Sequence, residues 1–319
     1  MRRVAIAYAL VAAAIAAVWA IEVYAIPWTD PYITNVLLRI GFNVLAVLGL
    51  SLVLGFTGQF SLGHAGFMAA GAYGSAILNM HAGVPAPLAM VFGGVVAGLA
   101  GVVVGVPSLR LSGDYLAVVT LGFNQIIIVI IQNTPILGQA AGLTGVPQVT
   151  NFGWTFTWVI LAAVSLRNLL DSPQGRAFEA VRDNEIATRS LGIDTTGVKV
   201  TAFVIGAFWA GVAGSLIGFN LSSIFPSQFQ FDRSIELLAM VVLGGTGSLS
   251  GPVLAAVVLT VLPELLRDIP NADRYRMMVY SVLLVAMMAL RPRGFLGNRE
   301  LSDVVAGLWR RVRRRGQVA

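Results

Sequence analysis

Cysteine is absent from the 319 residues, and charged side chains supply only 11% of them. Without cysteine there is no disulfide framework and no thiolate metal site, and the redox compartment cannot be read from the sequence. Also missing are Gly-x-x-x-x-Gly-Lys-Ser/Thr, His-Glu-x-x-His and Gly-x-Ser-x-Gly, so nucleotide, zinc-hydrolase and serine-hydrolase chemistry have no motif to rest on. No catalytic residue, cofactor or metal is assigned. The apolar runs do not alternate, which argues against a β-barrel. The net charge of +6 arises after residue 290, where Arg291, Arg293, Arg299, Arg310, Arg311, Arg313, Arg314 and Arg315 stand against Glu300 and Asp303. No nucleic-acid motif accompanies these arginines, and a basic tail beside a final span is expected at a cytoplasmic surface of anionic lipid.

What is present is mostly apolar. Hydrophobic residues make up 57% of the chain, in repeated blocks, which is the composition of an all-α polytopic membrane bundle. The runs are 4–21, 33–54, one ending near 80, 87–106, 115–137, 152–170, 200–221, 234–243, 253–266 and 277–290. About ten spans result. The eighth and ninth are too short for a simple crossing and are expected as broken or re-entrant helices. Arg2 and Arg3 precede the first run and no small-residue cleavage site follows before Pro27, so this run is expected to be a retained span with its N-terminus inside. Counting onward puts residues 171–199 and both termini in the cytoplasm, with 138–153 and 224–233 outside. The expected organisation is one membrane domain over 1–319, with a cytoplasmic segment at 171–199 and a basic cytoplasmic tail at 291–319. Arg39 falls near the outer end of the second run, where a long side chain can snorkel. Gly206, Gly211, Gly214 and Gly218 mark one flank of the seventh, suited to close helix packing.

Two glycine-rich interruptions echo one another: Gly55-Phe-Thr-Gly-Gln-Phe-Ser61 and Gly244-Gly-Thr-Gly-Ser-Leu-Ser250. Irregular backbone at membrane depth survives only where protein or a water-filled cavity surrounds it. Thr57, Gly58, Gln59, Ser61 and His64 of the first break, and Gly244, Gly245, Thr246 and Ser248 of the second, are therefore candidate pathway or gate residues. Asn124 joins them from the fifth run, whose Asn124, Gln125, Gln132 and Asn133 make a polar side facing the bundle or a solute. A simple turn, a hydrogen-bonding histidine and polar packing glue are the competing readings, and in so glycine-rich a chain the echo is either an internal repeat or chance. Glu236 and Glu264 lie inside apolar runs and are expected to face the protein interior. Scattered as they are, such acids weigh against an ion-coupled carrier that would use them for coupling.

Charge is concentrated instead between Asp171 and Lys199. Ser172 fits the N-cap, Pro173 the first helical position and Gly192 the exit, so one short helix is expected. Ala177, Ala180, Ala187 and Leu191 fall near one stripe with Phe178 and Val181 beside it, while Arg176, Glu179, Arg182, Asp183, Glu185 and Arg189 take the other positions. Such a helix suits a membrane surface or a groove on another protein; a solvated loop is the plainer reading.

Six blocks in order resemble the LivM-type permease subunits of ATP-binding-cassette importers for branched-chain amino acids. They are Thr57-Gly-Gln-Phe-Ser-Leu-Gly-His-Ala-Gly-Phe67, Tyr115-Leu-Ala-Val-Val-Thr-Leu121, Gly142-Leu-Thr-Gly-Val-Pro147, Gly175-Arg-Ala-Phe-Glu-Ala-Val-Arg-Asp-Asn-Glu-Ile-Ala187, Val241-Val-Leu-Gly-Gly-Thr-Gly-Ser-Leu249 and Arg291-Pro-Arg-Gly-Phe295. The resemblance implies a type II importer-like permease in the bacterial inner membrane. It implies a LivH-like second permease as heterodimer partner, two cytoplasmic ATPase subunits and an extracytoplasmic amino-acid-binding protein. It also implies that Arg176, Glu179, Arg182, Asn184, Glu185, Ala187 and Gly192 belong to the segment that couples to the ATPase. Related permeases serve urea, short amides or other amino acids, so the same mechanism with another solute is the alternative; an ion-coupled carrier acting alone is the alternative from another class.

Overall fold

The computed structural model describes residues 2–108, 111, 113–265, 282 and 285. The run expected at 277–290, apart from residues 282 and 285, and the basic tail at 291–319 lie outside the described residues. Each of the other nine apolar runs contains a helix. Six helices are long and apolar enough to cross a membrane, and the chain is a helical membrane bundle.

α1 (Arg2–Tyr24) lies at the edge, against α6 (Phe152–Leu170). Trp19 meets Trp154 edge-on at 5.4 Å between ring centroids, and the Glu22 carboxylate accepts the Gly153 N–H at 3.1 Å. α2 (Pro31–Leu50) starts where Asp30 accepts the Tyr32 N–H, with Pro31 at the first position, the capping chemistry expected of that pair. It does not stop at Leu54. It widens into a π-helical turn, Ser51–Phe56, and the true break is only residues 57–63. π turns of this kind occur mostly as single interruptions, frequently at functional sites.

α3 (His64–Ala82), α4 (Ala86–Ser108) and α9 (Thr195–Asn220) form the centre, with α2 and α5 (Asp114–Asn133) packed around them. Glycine lets these helices touch backbone to backbone. The four glycines of α9 do not share one neighbour, as a single flank would require. Gly206 faces Gly49 of α2, where an added Cβ would stand 2.7 Å from the Gly49 carbonyl; Gly211 faces α4; Gly214 faces Met68 of α3; and Gly218 faces Ile224. A helix buried on most sides needs small residues in several directions. Ser215 bonds the Gly71 carbonyl at 3.1 Å at the same crossing.

Beyond one end of the bundle, β1 (Leu143–Thr144) pairs antiparallel with β2 (Ser223–Ile224), Leu143 opposite Ile224. The two loops expected outside are thus tied together, and the buried Tyr73 hydroxyl donates to the Ile224 carbonyl at 2.9 Å. The polar segment forms two helices, α7 (Pro173–Asp183) and α8 (Glu185–Ser190), where one was expected. Asn184 separates them: its backbone is extended, its N–H still closes α7 on Ala180, and its Oδ1 accepts the Ala187 N–H at 3.0 Å to open α8. Asparagine is among the best N-caps, a role missed when Asn184 is read only as a coupling residue. α10 (Phe231–Gly244) and α11 (Ser250–Leu265) are the two short arms, antiparallel and joined by the second break.

Candidate functional site

The first break is closed by its own side chains. Thr57 donates to the Val53 carbonyl at 2.6 Å, Gln59 donates to the Thr57 hydroxyl at 2.8 Å and to the Lys199 carbonyl at 3.2 Å, and Ser61 accepts the Gly63 N–H at 3.3 Å. Thr57, Gln59 and Ser61 are all buried, so these bonds satisfy groups that water cannot reach; the Gln59 Oε1 has no partner among the described residues. Two residues absent from the sequence assignment complete the closure. Thr120 of α5 accepts the Leu62 N–H at 3.0 Å, and Ser234 of α10 accepts the Ala65 N–H at 3.2 Å. Both are hydroxyls embedded in apolar runs, and that placement is the signal that could have found them.

His64 is the first residue of α3, fully buried and edge-on to Phe67 at 5.9 Å. Asn124 is fully buried against Gly66, where an added Cβ would stand 2.7 Å from its Oδ1. Among the described residues neither side chain has a hydrogen-bond partner. Of the polar side expected on α5, Asn124 alone is buried; Gln125 and Asn133 are exposed and Gln132 is half-buried. In the second break Gly244 and Gly245 are buried, Gly245 has φ of 109°, and the Ser248 hydroxyl accepts the Gly251 N–H at 3.1 Å to start α11.

The two breaks meet. A Cβ on Gly55 would lie 3.2 Å from the carbonyl oxygen of Thr246, so the echoing segments lie backbone against backbone at the ends of α2 and α10. Onto this junction comes the polar segment. Arg182 donates through Nη1 to the Gly55 carbonyl at 3.2 Å and through Nε to Asp183 at 3.1 Å. Gly58, with φ of +68°, packs on Arg182, an added Cβ lying 3.3 Å from its Cγ. Glu185 forms a salt bridge with Lys199, the single lysine of the chain, whose side chain is only 9% exposed. Thr57, Gly58 and Gln59 share a cavity of about 630 Å³ with Arg182, Glu185 and Lys199. Residues assigned from sequence to two separate groups therefore surround one space.

The apolar stripe is divided differently from expectation. Phe178 and Val181 are the buried residues of α7 together with Gly175, whereas Ala177 and Ala180 are half-buried. On α8, Ala187 is exposed, and Ile186 and Leu191 are each 81% exposed. Arg176, Glu179 and Arg189 are exposed, and Gly192 takes φ of +83° as the exit residue. An alanine at Gly58 enters the left-handed region at a cost of about 1–2 kcal/mol and crowds Arg182. Gly58→Ala is expected to lower the melting temperature of the purified protein, and Gly58→Asn to lower it less, because asparagine tolerates that region.

A glycine-broken helical bundle of this kind, carrying a polar segment latched to its breaks, is the architecture of a multi-pass membrane protein. The chain belongs to the family of branched-chain amino acid transport system permease components, whose model matches residues 32–288. It is 40% identical over 284 residues to the high-affinity branched-chain amino acid transport system permease protein LivM of Salmonella typhimurium, covering 78% of this chain and 66% of that protein. The LivM of Escherichia coli K12 is 39% identical over the same coverage. The LivH of Escherichia coli K12 is 31% identical over 151 residues, 47% of this chain and 48% of its own. The chain therefore spans just under two thirds of the LivM relatives' length. No solved structure matches it.

Proposed function

We propose that this chain is a membrane-spanning subunit of an ATP-driven importer, passing branched-chain amino acids delivered by an extracytoplasmic binding protein. It pairs with a LivH-like second permease and is worked by two cytoplasmic ATPase subunits, in the bacterial inner membrane with both termini inside. The observation that carries this reading is the contact of Arg182 with the Gly55 carbonyl, which couples the polar segment to the junction of the two breaks. Ile186 and Leu191 offer exposed apolar surface that a cleft on an ATPase would cover, while Phe178 and Val181 bury the same segment into the bundle. Closure of the ATPases on α8 then moves α7, and α7 carries the Gly55 end of α2 with it.

Reconstitution tests this. Proteoliposomes holding both permeases and both ATPases, with binding protein on the outer side, are expected to accumulate leucine when ATP is supplied within, and to stop when the ATPases are omitted. Uptake by this chain alone, driven by an ion gradient, would overturn the proposal.

A further inference from the structure

Around the middle of α2, away from the latch, charged residues from α2, α10 and α11 gather on one cavity. Arg39 pairs with Glu264 at 3.3 Å and Arg233 pairs with Glu236. Asn43 joins the pairs: its Oδ1 accepts from Arg233 and its Nδ2 donates to Thr260 at 2.8 Å. Tyr32 donates to Glu264 as well. The two ion pairs, Asn43 and Thr260 line a cavity of about 380 Å³, and Phe42, Phe229 and Leu259 supply apolar wall. Gly55 lies sixteen positions beyond Arg39 along α2 and its π turn, about 24 Å at the helical rise. Gln228 and Phe229, from the segment following β2, also line the cavity. It is therefore a mouth on the side of the paired loops, remote from the polar segment.

These ion pairs are weak as braces, since the Arg39 side chain is 65% exposed and that of Glu236 36%, and exposed pairs contribute little to stability. Two cations and two anions around a cavity wide enough for a small solute do have a specific use. A zwitterion brings one charge of each sign and can exchange into such pairs without leaving any charge unpaired. We infer that this cavity is a binding site for the α-ammonium and α-carboxylate of a free amino acid. The carboxylate takes the Arg233 guanidinium, with Arg39 as second cation. The ammonium takes the carboxylates of Glu236 and Glu264, and an aliphatic side chain lies on Phe42, Phe229 and Leu259. Arginine forks suit carboxylates bidentately, and Asn43 holds Arg233 in place. The inference rests on the importer reading and adds to it a site within the permease itself, apart from the binding protein.

The probe is radiolabelled L-leucine at equilibrium with the full chain and its partner permease in phosphatidylglycerol nanodiscs, without binding protein. Saturable binding is expected. Leucinol, which lacks the carboxylate, and 4-methylpentanoate, which lacks the ammonium, should each compete about tenfold or more less well than leucine, as loss of a charged hydrogen bond predicts. Arg233→Gln and Glu264→Gln should abolish binding, whereas Glu22→Gln, on α1, should leave it intact. The analogue comparison uses the wild-type chain and so stands even where a variant fails to fold. No saturable leucine binding, equal competition by the two analogues, or binding undiminished in both charge variants would each overturn the site and leave the charges as structural braces. Occupancy by phosphatidylethanolamine in nanodiscs containing it, with leucine unable to displace it, would also overturn the site and assign the cavity to a lipid headgroup. ATP-driven leucine uptake by the complete wild-type importer separates the two levels: uptake without binding removes only this site, and absence of uptake removes the importer reading itself.

Discussion

Arg182→Glu in the assembled importer is expected to cut ATP-driven leucine uptake by about a hundredfold or more, while the chain still inserts and pairs with its partner permease. Arg182 makes a charge-assisted bond to the Gly55 carbonyl, and its stem fills the space over Gly58. Loss of a charged hydrogen bond of this kind is worth about 1.5–3 kcal/mol, and a carboxylate pointed at a carbonyl adds repulsion where there was attraction. None of the membrane crossings depends on that bond, so the damage falls on transmission. Arg182→Lys keeps the charge but not the planar fork and is expected to fall between. Glu185→Lys should be comparably severe, because it sets a cation against Lys199, whose side chain is almost fully buried. The exchanged pair, Glu185→Lys with Lys199→Glu, discriminates an internal strut from a contact with the ATPase. A strut works in either polarity, so uptake returns in part; a contact made by Glu185 to the partner does not return. Rates of ATP hydrolysis measured beside uptake complete the test, since an uncoupled assembly hydrolyses without transporting. Uptake unchanged in Arg182→Glu would remove the latch from the mechanism.

Why the sequence made the helices visible, but not this latch, follows from what each depends on. A span is a local property: twenty apolar residues need a bilayer or a core, and every described run yielded its helix. The short arms at 234–243 and 253–266 were legible for the same reason, being interrupted by Gly244 to Pro252. Contacts between distant segments have no such local trace. The match between the Gly55 and Gly244 breaks was visible as an echo, but that their backbones touch is a property of the packing. Glu236 and Glu264 looked scattered because they lie 28 positions apart along the chain, yet α10 and α11 run antiparallel and return them to one cavity. Lys199 carried a signal that went unused, since an apolar chain with a single lysine at a helix entrance has given it a partner. The split at Asn184 was lost because helix periodicity runs unbroken across a residue that can equally cap. In the same segment, Phe178 and Val181 were set beside the stripe when they are its buried centre. The alanines recur at helical spacing, but large side chains gain more from burial.

Gly71→Val is expected to prevent the chain from folding into its bundle, an effect unlike that of any change at the latch. Every near neighbour of a Cβ added at Gly71 is backbone of Gly211, whose carbonyl carbon would lie at 2.5 Å. A flexible side chain could turn away from such an intrusion; a helix backbone cannot, so α3 and α9 would have to separate. Separation would also break the Ser215 bond to the Gly71 carbonyl and open the α4 contact, because Gly93 and Gly211 meet at the same crossing. Overpacking of a well-packed core costs on the order of 1–3 kcal/mol and more where nothing can yield, and a membrane bundle has no hydrophobic driving force between helices to offset it. The yield of monodisperse protein in detergent is therefore expected to collapse. Gly122→Ala supplies the contrast. Nothing lies within 4 Å of a Cβ there, and alanine in a helix interior is favoured over glycine by roughly 0.5–1 kcal/mol, so yield and melting temperature should hold or rise. If Gly71→Val were instead recovered folded with unchanged melting temperature, α3 and α9 would not cross at Gly71 and Gly211, and the placement of the first break at the head of α3 would fall with that crossing.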